Sequence, residues 1–129
     1  MDSADQVNRI RPQERIEGAA TSGMIREEAI SVEGLWAGLV RTDAHMTSGW
    51  HHHGDYETSI YVINGALRME SGPEGGRVVE GGPGDFLHVP KGAIHRESNP
   101  MDTESQLVVV RAGHGPAVFN VDGPASAVP

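Results

Sequence analysis

The sequence contains no cysteine, which excludes disulfide bonds, thiol nucleophiles and thiolate metal sites together. A metal held by this chain has to be bound by nitrogen and oxygen. No run comes near the roughly twenty consecutive apolar residues of a membrane span, and no membrane partner is expected. The N-terminus, Met1-Asp2-Ser3-Ala4-Asp5, lacks the basic start and apolar centre of a secretory signal, so a cytoplasmic protein is expected. Positive charge is also sparse: 10 Lys and Arg stand against 18 Asp and Glu, a net charge of −8. The few cations are scattered and do not form the patch that phosphate binding requires, so nucleic acid is not expected as a partner. There is no Gly-x-Ser-x-Gly elbow. The glycines at 81, 82 and 84 are not followed by the Lys-Ser or Lys-Thr of a phosphate loop.

What the chain does contain is 17 glycines and 8 prolines in 129 residues, falling between short runs rich in Val, Ile and Leu. That texture predicts one all-β domain of short strands joined by turns, a sandwich or barrel. Residues 1 to 33 read as a polar arm, with 18 to 23 as a linker and 24 to 30, containing Arg26-Glu27-Glu28-Ala29, as one turn of helix. Strands are predicted over 34 to 40, 56 to 63, 67 to 70, 77 to 79, 85 to 89 and 107 to 111, with 118 to 121 closing the sheet. Asn64-Gly65 is the strongest hairpin signal, because both central residues of that turn need positive φ. Residues 122 to 129 read as a fraying tail. No internal repeat is present.

Two stretches carry chemistry. In Trp50-His51-His52-His53-Gly54-Asp55-Tyr56-Glu57 the two-residue period of an extended strand points His51 and His53 one way and His52 the other. His95 follows a Pro90-Lys91-Gly92 turn, and Glu57 is an oxygen donor near the first pair. Imidazole with at most one carboxylate suits iron, zinc, nickel, manganese or copper and is too rich in nitrogen for calcium or magnesium.

Gly84, five residues, Pro90, one residue, Gly92, two residues, His95, three residues and Asn99 resembles in full the second motif of the cupin superfamily. His51, His53, Glu57 and Gly65 resemble the first. The resemblance covers about residues 35 to 121 and implies a cupin fold, a double-stranded β-helix or jelly-roll barrel, over residues 34 to 121. It also implies an arm that small cupins often lend to a neighbouring subunit as an edge strand, hence a homodimer. Two departures stand out. The opening glycine of the first motif falls at His45, and seven residues back from Gly65 is Thr58, not Glu57. Either a β-bulge absorbs one residue and Glu57 is the fourth ligand, or His51, His53 and His95 form a three-nitrogen site completed by water.

One divalent transition metal on His51, His53, His95 and Glu57 is therefore expected. Glu57 and His88 are candidate acid and base residues, and Thr47, Thr58, Ile60 and Phe86 are expected to line a pocket for a small-molecule ligand. Three activities fit. An iron-dependent oxygenase comes first, then a metal-dependent isomerase, epimerase, cyclase or lyase acting on a hydroxylated carbonyl compound. A non-catalytic cupin that binds a small molecule or metal is the third.

Overall fold

The computed structural model describes residues 5 to 18 and 21 to 127. The middle of the linker (19 and 20) and both chain ends (1 to 4, 128 and 129) lie outside them. The described residues form eleven β-strands, β1 (Ile16–Glu17), β2 (Met24–Val32), β3 (Leu35–Thr42), β4 (His51–His52), β5 (Glu57–Asn64), β6 (Leu67–Ser71), β7 (Arg77–Gly81), β8 (Phe86–Val89), β9 (His95–Ser98), β10 (Ser105–Ala112) and β11 (Phe119–Asn120), and one 3₁₀ turn, Pro12–Glu14. They make two antiparallel sheets, one in the order β1-β2-β3-β10-β5-β8 and the other β11-β4-β9-β6-β7. This is the double-stranded β-helix expected from the paired motifs.

Strand alternation explains how the sheets face each other. On β5, Thr58, Ile60 and Val62 are buried while Ser59 and Tyr61 are exposed, and on β10 Ser105, Leu107 and Val109 are buried. Of these, Ile60, Val62, Leu107 and Val109 join Val40, Leu67, Met69, Leu87 and Val89 in one core between the sheets. Each buried aliphatic side chain of this kind stabilises the fold by about 1.5–3 kcal/mol.

Three expectations change. Residues 24 to 30 are not a helical turn but the start of β2, paired with β3 from Met24↔Thr42 to Val32↔Leu35. Met, Arg, Glu and Ala favour a helix locally, yet the strand gains a long ladder of backbone bonds, interrupted by one bulge between Glu28 and Ile30, and a buried Met24, and propensity differences of tenths of a kcal/mol cannot oppose that. Asn64-Gly65 is not a hairpin, because β5 and β6 belong to different sheets. Only Gly65 has positive φ, at 82°, and the backbone crosses between sheets there. A Cβ on Gly65 would collide with the Ser105 hydroxyl. That hydroxyl accepts from Ala66 N–H at 3.0 Å and donates to Ala66 C=O at 2.9 Å. The tail does not simply fray: Ala125 bridges Pro73, and its carbonyl accepts from Glu74 N–H at 2.8 Å.

The motif departure at His45 has a local consequence. His45 holds φ 60°, the left-handed region where the resembled motif has glycine. Its ring lies 2.8 Å from an Asp102 carboxylate oxygen, and His is among the residues that tolerate this region best. Asn99, at the end of the second motif, is 1% exposed. Its amide nitrogen faces the carbonyls of Thr42, Asp43 and Thr103 at 3.3, 3.1 and 2.9 Å, and its Oδ1 accepts from Met101 N–H at 2.9 Å. It ties the end of β9 to the end of β3. Asn99→Ala leaves those groups without partners and is expected to cost about 2 kcal/mol, read as a lower urea midpoint at unchanged slope. An unchanged midpoint would show that water replaces the amide at no cost.

Candidate metal centre

β4 and β9 meet at a single pair, His51↔His95, and His53 follows one residue past the end of β4, where Gly54 turns the chain with φ 58°. Ring centroids are 4.3 Å apart for His51 and His95 and 5.1 Å for each of the other two pairs. One nitrogen from each of the three rings lies within 4.8 Å of the others, and all three residues are buried. His52 points away, stacked on Phe119 at 4.9 Å, with its Nδ1 accepting from Gly54 N–H.

The hydrogen bonds decide which nitrogen is free. His51 Nδ1 faces Gly49 C=O at 2.9 Å, His53 Nδ1 faces Ala117 C=O at 2.7 Å, and His95 Nδ1 faces Ala93 C=O at 2.9 Å. A carbonyl can only accept, so each Nδ1 carries the proton and each Nε2 presents a lone pair. Three imidazoles fixed in one tautomer by backbone carbonyls are the support that metal-ligating histidines need. The residues present therefore fit a divalent transition metal.

Burial, then the nearby Arg111 charge, lowers the His53 pKa from 6.5 to about 3. His95 is also lowered, chiefly by burial. Both are held neutral, the form that ligates. The unfolded chain, titrating near 6.5, binds more protons than the folded one between that pH and about 3. Metal-free protein is thus expected to keep this contribution to stability above pH 6.5 and to lose it progressively as pH falls toward 3. A urea midpoint lower at pH 5 than at pH 7.5, with a smaller difference in His53→Gln, would bear this out. Equal pH dependence in the two proteins would contradict it.

Glu57 is not in the histidine group. Thr58, Ile60 and Val62 face inward, so Glu57 faces out, with Oε1 2.6 Å from His88 Nε2 and its side chain 46% exposed. The His88 hydrogen bond, then one from Lys91 N–H, lowers the Glu57 pKa. The bulge invoked for it exists, at the register shift opposite Gln106 and Leu107. It lies beyond Val62, however, and does not turn Glu57 inward. The inward position belongs to Thr58, 2% exposed, as the count from Gly65 allowed. His88 is likewise on the outer surface. Phe86 is 73% exposed and packs on Tyr61; it does not line the cavity beside the three rings but a second one, of about 600 Å³, shared with His88 and the other side of His95.

A cavity of about 640 Å³ opens beside the three rings, and Thr47, Thr58 and Ile60 line it. Four charged residues not singled out from the sequence line it too: Arg26 and Glu28 from β2, Glu97 from β9 and Arg111 from β10. Glu97 Oε1 lies 3.6 Å from His51 Nε2, both side chains being largely buried. Glu28 accepts from the Trp36 indole at 2.8 Å. Strand parity held the signal for two of them, since Glu97 shares a face with His95, and Arg111 shares one with Leu107 and Val109. The helical reading of residues 24 to 30 hid the others.

Among the described residues no helix is long and apolar enough to cross a membrane. No protein of curated function matches the sequence. Solved structures of similar fold include KdgF from Halomonas sp., 20% identical, with TM-score 0.72 over 85% of this chain and 96% of that one. The polyketide cyclase RemF from Streptomyces resistomycificus is 20% identical, with TM-score 0.75 over 91% and 87%. An uncharacterized conserved protein with a double-stranded β-helix domain from Klebsiella pneumoniae is 17% identical, with TM-score 0.68 over 81% and 90%. The model of the Cupin domain family matches residues 38–111, the span from β3 to β10 that carries all three histidines, and the chain belongs to that family.

Proposed function

We propose that the barrel is a metal-dependent enzyme of the isomerase, cyclase or lyase class, acting on a small oxygenated carbonyl compound. The observation that carries this reading is Glu97: a carboxylate 3.6 Å from His51 Nε2, on the cavity wall but outside the set of mutually close donors. A divalent metal on His51, His53 and His95 would supply Lewis acidity toward a substrate carbonyl. Glu97 Oε1 takes a proton from the carbon next to that carbonyl and returns it at a neighbouring atom, the role of a positioned general base. Val40, Ile60, Leu107 and Val109 form the apolar wall, which excludes water from the transfer. That one structural relative is named a polyketide cyclase agrees with this class.

The sequence alone puts an iron-dependent oxygenase first, and the all-nitrogen donor set still favours it as a second reading. Glu97 reverses the order, because oxygen activation does not require a base there. Zinc-loaded protein incubated with hydroxyketones in D₂O under argon distinguishes the two. Deuterium entering at the carbon beside the carbonyl, without oxygen, is the expected result. Turnover confined to iron-loaded protein and matched by oxygen uptake would replace this reading with the oxygenase. Ligand binding without turnover under either condition would leave a binding protein.

A further inference from the structure

The wall of the cavity formed by the larger sheet carries a cation that has a ring neighbour but, among the described residues, no hydrogen-bond or ion-pair partner. Arg111 stands between Trp36 on β3 and Thr58 on β5, the three being direct cross-strand neighbours. Its guanidinium carbon lies 5.5 Å from the centre of the Trp36 ring. Its Nε is buried without a hydrogen-bond partner, as is the Thr58 hydroxyl beside it. Among the described residues no hydrogen bond or ion pair is formed by any nitrogen of this guanidinium. Glu28 is engaged by the Trp36 indole, and Glu97 is turned to His51. Arg26 lines the same cavity; burial first and then the Arg26 charge lower the Arg111 pKa, while the Glu97 charge acts the other way without a hydrogen bond or ion pair to Arg111.

Stacking on Trp36 stabilises Arg111 only in part, because a guanidinium has five donors and a ring satisfies none of them in plane. Arg111 is half-buried; even partial burial of a charge without a hydrogen-bond partner is costly, and such an arginine is retained where something completes its hydrogen bonds. A planar oxyanion matches the guanidinium fork in two parallel bonds, which a spherical ion does not. The remaining wall is aliphatic, and about 640 Å³ accommodates a small organic molecule.

We propose that Arg111, assisted by the Thr58 hydroxyl, anchors the carboxylate of a small organic acid in the barrel, so that the substrates of this site are carboxylate-bearing compounds. The proposal deepens the reading of the three-histidine site, toward which the oxygenated part of such a molecule would be directed, but the anchor itself needs no metal. It assigns Arg111 the choice of substrate and Glu97 the proton.

Benzoate and benzamide, equal in shape and different in charge, test this by calorimetry on the full-length protein, both zinc-loaded and chelator-treated. Benzoate is expected to bind both forms, and benzamide to bind at least about tenfold more weakly, the scale of one charge-assisted bond. Arg111→Gln is expected to lower benzoate affinity about 10–100-fold, with the benzamide affinity unchanged. Arg111→Lys should also lose affinity, because a point charge lacks the fork. The comparison of the two probes on the wild type stands even if a variant fails to fold. Absence of benzoate binding, equal affinity for the amide, or a folded Arg111→Gln that binds benzoate as well as the wild type would overturn the anchor. Failure to bind zinc with benzoate recognition intact would overturn the metal reading and leave the anchor in place.

Discussion

Replacing His51, His53 or His95 singly by Ala is expected to weaken zinc affinity by well over about 100-fold, the loss that disturbing only a ligand's supporting hydrogen bond can reach. His52→Ala is expected to change it by less than about threefold. The contrast follows from one residue of strand register: His52 sits between two inward rings yet stacks on Phe119, and its Nδ1 is occupied by Gly54 N–H. The outward carboxylate supplies a second control. Glu57→Gln removes the charge from the 2.6 Å contact with His88 but should leave zinc affinity unaltered, because neither residue lines the cavity beside the three rings. Competition with a chromophoric chelator measures all five variants in one format. A loss in His52→Ala or Glu57→Gln equal to that in the three others would mean that zinc is bound elsewhere.

Glu97→Gln should abolish proton transfer while leaving the metal in place. A positioned general base contributes typically 10²–10⁴-fold, and the amide keeps the shape of the carboxylate but cannot accept a proton at neutral pH. Loss of that order in deuterium exchange, with zinc affinity within a few-fold of wild type, is the expected pair of results. If zinc affinity falls as steeply as in the histidine variants, Glu97 acts as a ligand and the separation of roles proposed here is wrong. If exchange persists undiminished, the base is some other group. Arg111→Gln offers a contrast in kind, since weakened binding should raise KM more than it lowers kcat.

The parts of this site that depend on local spacing were legible in the sequence. The two-residue alternation through His51, His52 and His53 assigns the faces that the structure shows, and the span from Gly84 to Asn99 leads to His95 on β9, opposite His51. The parts that depend on packing between distant strands were not. Arg26 and Glu28 reach the cavity because β2 completes a sheet through β3, a long-range pairing that outweighs a helix-forming composition. Asn64-Gly65 has the residues of a tight hairpin, but the flanking strands leave for opposite sheets, and a dipeptide cannot encode that choice. Glu57 drew attention by proximity to the histidine pair, whereas its parity with Ser59 and Tyr61, opposite to Ile60 and Val62, already assigned it to the outer face. Arg111 was concealed at the end of an apolar run, and its significance comes from what surrounds it: Trp36, Thr58 and, among the described residues, no carboxylate paired with it.

His51, His53 and His95 are proposed to bind one transition metal ion through their Nε2 atoms. Elemental analysis of protein purified without a histidine tag, before and after soaking in zinc, beside the triple His51→Ala, His53→Ala, His95→Ala variant, tests this assignment. About one equivalent in the wild type and none in the folded triple variant is the predicted result, with histidine loss removing the whole donor set. The same metal content in both proteins, or none in the soaked wild type, would contradict it.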